Sequence, residues 1–170
     1  RAEGPGVIVE AECSPGRCVW RRGLLPRLEI TPVGAVRDGV FKVANELFGL
    51  TFKQRDDLPK WHPDQEVFEV SDSDGSHLTI LYMDFFIRES KRGGAWMNAL
   101  RVQSKLDGEV MPIVTNNFNY PPPTGDNPSL LSYGEASTLF HEFGHALHGM
   151  LSDVTYGSLA GTATPRDFVE

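Results

Sequence analysis

Cysteine is nearly absent: Cys13 and Cys18 are the only two in 170 residues. One pair is too sparse to staple a chain of this length, so stability has to come from a buried core, and a chain of this size buries one core but hardly two. No second Cys or His pair stands near Cys13 and Cys18 to complete a zinc site, so they read as ordinary thiols, in keeping with a reducing compartment. Basic charge is also scarce. Sixteen Lys and Arg against 23 Asp and Glu give a formal charge of -7, and no basic run exceeds two residues. Nucleic acid and anionic membranes are therefore excluded as partners. Long apolar runs are missing as well: the stretches 40–52 and 78–87 are broken by Lys42, Asn45, Glu46 and Asp84, far short of the ~18 residues a membrane span needs. No leader is legible, because Glu3, Pro5 and Glu10 interrupt any apolar run behind Arg1. The expected setting is the cytoplasm.

What the chain does contain is patterned. Residues 1–34 carry Gly4, Pro5, Gly6, Pro15, Gly16, Gly23, Pro26, Pro32 and Gly34 without a sustained period, which predicts a loop-rich segment. From Ala35 to Phe48, Val36, Val40, Val43, Ala44, Leu47 and Phe48 recur at helical spacings and Gly49 supplies a stop, so an amphipathic helix is expected. A short strand at 50–52 follows. The β-rich runs 67–71 and 77–87 flank Asp72-Ser-Asp-Gly-Ser76 and predict a hairpin; the runs 95–104 and 110–118 repeat the arrangement around Asp107-Gly108. Together they imply a small antiparallel sheet of about four or five strands. The proline-rich stretch 120–128 is a connector. Helix, strands, connector and helix in that order give an α+β fold rather than alternating βαβ units.

The chemistry lies beyond the connector. Ser132-Tyr-Gly-Glu135 has the form of a capping box, so a helix should begin near Tyr133. Ala136, Leu139, Phe140, Phe143, Leu147, Met150 and Leu151 form its apolar stripe. On another face stands His141-Glu-Phe-Gly-His145, the H-E-x-x-H pattern. The i, i+4 spacing sets both imidazoles one turn apart on one side, within reach of a single metal ion at ~2.0–2.1 Å. Glu142, rotated about 100° from His141, can take a proton from water activated by that ion without ligating it. The reaction class so indicated is peptide-bond hydrolysis. Three fixed letters occur by chance in roughly one chain in fifty of this length, so the weight rests on the capped, amphipathic helix around them.

A third ligand is required. A third histidine would stand six residues beyond His145, where Leu151 is found, with His148 at the position that variant gives to glycine. The downstream acids are Asp153, Asp167 and Glu170. Thr164 reads as an N-cap with Pro165 at the first helical position and Asp167 as an end-capping charge; Asp153 lies too near the end of the first helix, and Glu170 ranks first. His148 is about 10.5 Å of helical rise from His141, so one ion cannot span both; it faces substrate or is a plain surface histidine. Gly144 inside the helix costs about 1 kcal/mol relative to Ala, which predicts a close approach to its backbone.

His141–His145, then Ala146-Leu-His-Gly-Met150, Gly161-Thr162 and Arg166-Asp-Phe-Val-Glu170, resemble the thimet oligopeptidase family of zinc metallopeptidases, and Lys91–Met97 with Thr164–Glu170 are most similar to its bacterial dipeptidyl carboxypeptidase branch. The resemblance runs from about Val36 to Glu170. It implies Zn2+ held by His141, His145 and Glu170, Glu142 as general base and proton shuttle, short peptides as substrates, and a monomer. It also implies a mostly helical gluzincin-type fold of which 35–170 is a partial catalytic domain, family members continuing into a long helical stretch with His and Tyr side chains. Residues 1–34 do not match and form a divergent segment. The competing expectation is a non-catalytic metal-binding fragment. The run 95–104 has the character of a sheet edge able to pair with an extended peptide, or of an interior strand, and the 157–162 loop either contacts substrate or packs. Whether dipeptides leave from the carboxyl end or internal bonds are cut stays open.

Overall fold

The computed structural model describes residues 9–14, 17–22 and 28–170, with side chains from Thr31 onward. Its N-terminal part corrects the loop-rich expectation. Strands β1 (Val9–Ser14), β2 (Arg17–Arg22) and β3 (Leu28–Pro32) form an antiparallel ribbon, and β3 pairs with the two-residue strand β9 (Leu130–Leu131). The glycines and prolines that suggested loops fall largely outside these strands. The side chains of Cys13 and Cys18 lie outside the described residues.

Helix α1 (Val33–Phe48) ends on Gly49, whose φ of 74° lets its N–H donate to the Asn45 carbonyl. Val36, Val40 and Ala44 are buried, but Val43, Leu47 and Phe48 are exposed. The apolar arc of this helix is wider than the face that packs.

The main sheet has the order β4-β5-β6-β8-β7, built from β4 (Thr51–Gln54), β5 (Glu66–Ser71), β6 (His77–Phe86), β7 (Trp96–Arg101) and β8 (Ile113–Tyr120). The two expected hairpins form, β5 with β6 and β7 with β8. The sheet is mixed rather than antiparallel throughout. After β6 the chain leaves one strand's width vacant, runs back as β7, and returns as β8 in the gap, so β6 and β8 pair in parallel. Within this sheet β7 is therefore an edge strand.

Between β6 and β7 a buried ion cluster fixes the turn. Asp84 accepts both arms of the Arg88 guanidinium at 2.8 and 2.7 Å and the Lys91 ammonium at 2.8 Å, and Lys91 also donates to the Asp84 and Phe86 carbonyls. Asn119 on β8 then donates to the carbonyls of Arg92 and Gly94 at 2.8 and 2.7 Å, which fixes the approach to β7.

Helix α2 (Tyr133–Met150) packs across β7, β8 and α1. The core between these layers is lined by Val36, Val40, Leu81, Met83, Val114 and Phe118 with Leu139, Phe143 and Met150. Phe41 stacks on Phe52 at 4.1 Å, and Phe143 closes against both rings. No helix among the described residues is long and apolar enough to cross a membrane.

Candidate metal centre

The start of α2 follows its sequence. The Ser132 hydroxyl accepts from the Glu135 N–H, and the Glu135 carboxylate accepts from the Ser132 N–H. Leu139, Phe143, Ala146 and Met150 are buried, which locks the rotation of the helix against the sheet. Phe140 and Leu151, counted in the expected stripe, are 45% and 38% exposed because they flank the buried ridge.

That rotation sets His141 and His145 toward a cleft of about 220 Å³, walled by Trp96 and Met97 of β7 and by Thr162. Their rings lie 4.6 Å apart at 86°, and the two Nε2 atoms are 3.0 Å apart. Glu170 follows the short helix α3 (Arg166–Val169). Its Oε2 stands 3.6 Å from His141 Nε2 and 3.7 Å from His145 Nε2. Three atoms so spaced surround a point about 2 Å from each, which matches the ~2.0–2.1 Å bonds of zinc to imidazole nitrogen and carboxylate oxygen. Two imidazoles and one carboxylate are also a donor set suited to a catalytic zinc site. Among the described residues this is the one group of three or more metal-ligating side chains so gathered.

Glu142 lines the same cleft but is 9% exposed, its helix face turned toward the sheet. Asn116 on β8 donates to the Glu142 carbonyl at 2.8 Å, pinning the helix at this residue. Sequence reasoning missed Asn116. Its signal is parity: it shares the inward face of β8 with Val114 and Phe118, and a fully buried amide between two core residues needs a partner. Tyr120 donates to the Glu135 carbonyl at 3.0 Å; burial first, then the carboxylates of Glu135 and Glu142, push its phenol well up from the ordinary range.

The remaining expectations divide. Asp153 faces Lys105 and Asp167 sits in the first turn of α3, so neither joins the histidines. Pro165, not Thr164, is the N-cap of α3: the Thr164 hydroxyl instead donates to the Gly161 carbonyl at 3.0 Å. The half-buried His148 ring lies 6.2 Å from Phe168 and outside the ligand group. Nothing lies within 4 Å of a side chain built at Gly144, so no close approach occurs there. It occurs at Gly149, where a Cβ would stand 2.7 Å from Met97 Cε, and at Gly161, where it would stand 2.8 Å from the Gly149 backbone. This packs the 157–162 loop on α2 and carries the chain on toward Glu170.

The sequence model described as peptidase family M3 matches residues 28–170. Dipeptidyl carboxypeptidase of Salmonella typhimurium is 50% identical over 135 residues, 79% of this chain and 20% of the relative. Dipeptidyl carboxypeptidase of Escherichia coli is 47% identical over 86% of this chain and 21% of the relative. Oligopeptidase A of Escherichia coli is 37% identical over 82% of this chain, again 21% of the relative. The chain thus spans about a fifth of the length of these proteins.

Proposed function

The chain belongs to peptidase family M3, and from that premise we propose that it carries the zinc centre of a metallopeptidase hydrolysing peptide bonds in short peptides, of dipeptidyl carboxypeptidase or oligopeptidase type. His141, His145 and Glu170 hold the ion, and Glu142 is the general base. The observation that carries this reading is the convergence of three ligand atoms, from two helices, around one point about 2 Å from each. Zinc in such a site polarises the scissile carbonyl and makes water acidic near neutral pH. Glu142 takes the proton from the attacking water and passes it to the leaving amine. Its backbone is held by Asn116, so the carboxylate is aimed before substrate arrives. The free edge of β7 offers backbone donors and acceptors to an extended peptide, which gives affinity without sequence selectivity.

The donor set fits action on peptides, and the scarcity of cysteine fits a cytoplasmic setting. The competing reading is a metal-binding unit that does not cleave by itself. Glu142→Gln separates the two. Zinc content should stay at the unmutated level while hydrolysis falls by about a thousandfold, since one proton-transfer group contributes on the order of 10²–10⁴-fold. Unmutated protein that binds zinc and cleaves no peptide would leave only the binding unit.

A further inference from the structure

Glu170 stands at the end of a segment that little else secures. The segment is fixed at Gly161, where a Cβ would stand 2.8 Å from the Gly149 backbone, and at Thr162, whose hydroxyl reaches the Met97 sulfur at 3.7 Å. Beyond Thr162 the polar ties are local. Thr164 donates back to the Gly161 carbonyl, and the N–H groups of Phe168 and Glu170 donate to the carbonyls of Pro165 and Arg166 at 2.9 and 3.0 Å. The Arg166 side chain, 90% exposed, lies 3.9 Å from Glu170 Oε1. Bonds of this kind shape α3 but leave it able to tilt against α2, because both partners travel with it. Among the described residues, no side-chain hydrogen bond or ion pair joins 165–169 to the sheet or to α2.

One contact does cross. The His148 ring lies 6.2 Å from the Phe168 ring at 53°, inside the ~4.5–7 Å range over which aromatic pairs attract each other beyond the area they bury. Its two ends are unlike. His148 is half-buried, about two turns beyond His141 and nearly on the same face of a helix locked by its buried ridge. Phe168 is 73% exposed on a four-residue helix, just ahead of Glu170 in the chain. A fixed ring therefore meets a weakly held one beside the third ligand. We infer that His148 is a positioning residue of the metal centre: through Phe168 it sets the tilt of α3, and with it the distance of the Glu170 carboxylate from His141 and His145. Neither ligation nor proton transfer is asked of its imidazole; another planar ring of similar size would serve. The inference rests on the metal-centre reading for the affinity it predicts, but not for the contact between the rings.

Two readouts on the full chain test this: zinc affinity by chelator competition, and amide hydrogen exchange at Phe168 and Glu170 in metal-free protein. His148→Ala and Phe168→Ala should each raise the zinc Kd about fivefold, within the span of one aromatic pair. The double variant should be no worse than either, since both changes remove one contact. His148→Phe should bring Kd back to within about twofold of the unmutated value. Exchange at both amides should quicken in His148→Ala and recover in His148→Phe. Phe168→Ala, at an exposed site, keeps the test open should His148→Ala disturb α2 itself. A His148→Phe variant that loses as much affinity as His148→Ala would show that the imidazole ligates or donates, and would overturn the inference. So would additive losses, exchange indifferent to the residue at 148, or an unchanged Kd in both alanine variants, whether or not Phe168→Ala raises KM for a peptide. If the unmutated chain binds no zinc while exchange still follows the ring at 148, the metal reading falls and the positioning contact stands.

Discussion

Gly149 and Gly161 decide how closely α2 approaches the segment that ends in Glu170. At Gly161 a methyl group would meet the Gly149 backbone at 2.8 Å, and the φ of +47° disfavours any side chain. Gly161→Ala should therefore cost about 2–4 kcal/mol and weaken metal binding, because the whole 161–170 segment is displaced. Gly149→Ala meets the end of the Met97 side chain, which can swing, and Val114 at 3.1 Å, so its cost should be smaller, about 1–2 kcal/mol. Gly144→Ala should stabilise by about 0.5–1 kcal/mol, since its position is exposed, helical and open. Thermal denaturation of the three variants gives the order. These residues also mark the limit of sequence reading. His141, Glu142 and His145 were legible because four residues of helix suffice to bring them together. The same local logic pointed to Gly144, whereas the contact lies five residues further on and depends on a loop folding back. The partner of Asn116 was not legible for the same reason: it is a carbonyl on a different element.

At the scale of elements, the turn from β6 to β7 depends on Asp84. Burial pushes its carboxyl up, but hydrogen bonds from Arg88 and Lys91 outweigh this and hold it below its ordinary value of 3.8. The folded state therefore binds this proton less readily than the unfolded state. Its contribution to stability is whole above pH 4 and is lost as the pH falls through the lowered value. Burial lowers Lys91 from 10.5 against the pull of Asp84, so the ammonium's desolvation weighs on the fold at neutral pH and eases as the pH rises toward that value. Asp84→Asn should cost about 3–5 kcal/mol at pH 7, because it leaves Lys91 charged and buried without its counterion. Melting temperatures from pH 2 to 7 should fall less steeply on the acid side in Asp84→Asn than in the unmutated protein; equal slopes would remove Asp84 from the acid transition. Both hairpins could be read from turn residues and alternation, since each joins neighbours in sequence. The parallel β6–β8 pair could not, because it depends on the turn this ion cluster builds rather than on any local pattern.

The whole molecule combines a well-formed sheet and α2 with an α3 of four residues, whose Phe168 is 73% exposed. Little apolar burial holds Glu170 in place, so the metal should act as a clamp between α2 and α3. Zinc should then raise the melting temperature in a concentration-dependent way, stabilising the fold by about 2.7 kcal/mol at a hundred times Kd. At this scale the sequence conveyed composition, charge and the α+β class well. It misread the N-terminal ribbon, expecting a loop-rich segment from glycines and prolines that fall largely outside the paired strands. The account turns on three side chains sharing one ion. X-ray absorption of the zinc-loaded protein tests this most directly. It should report nitrogen and oxygen ligands at about 2.0–2.1 Å with an imidazole signature, altered in Glu170→Gln and lost in His145→Ala. Sulfur at about 2.3 Å, or a spectrum indifferent to both substitutions, would contradict the account.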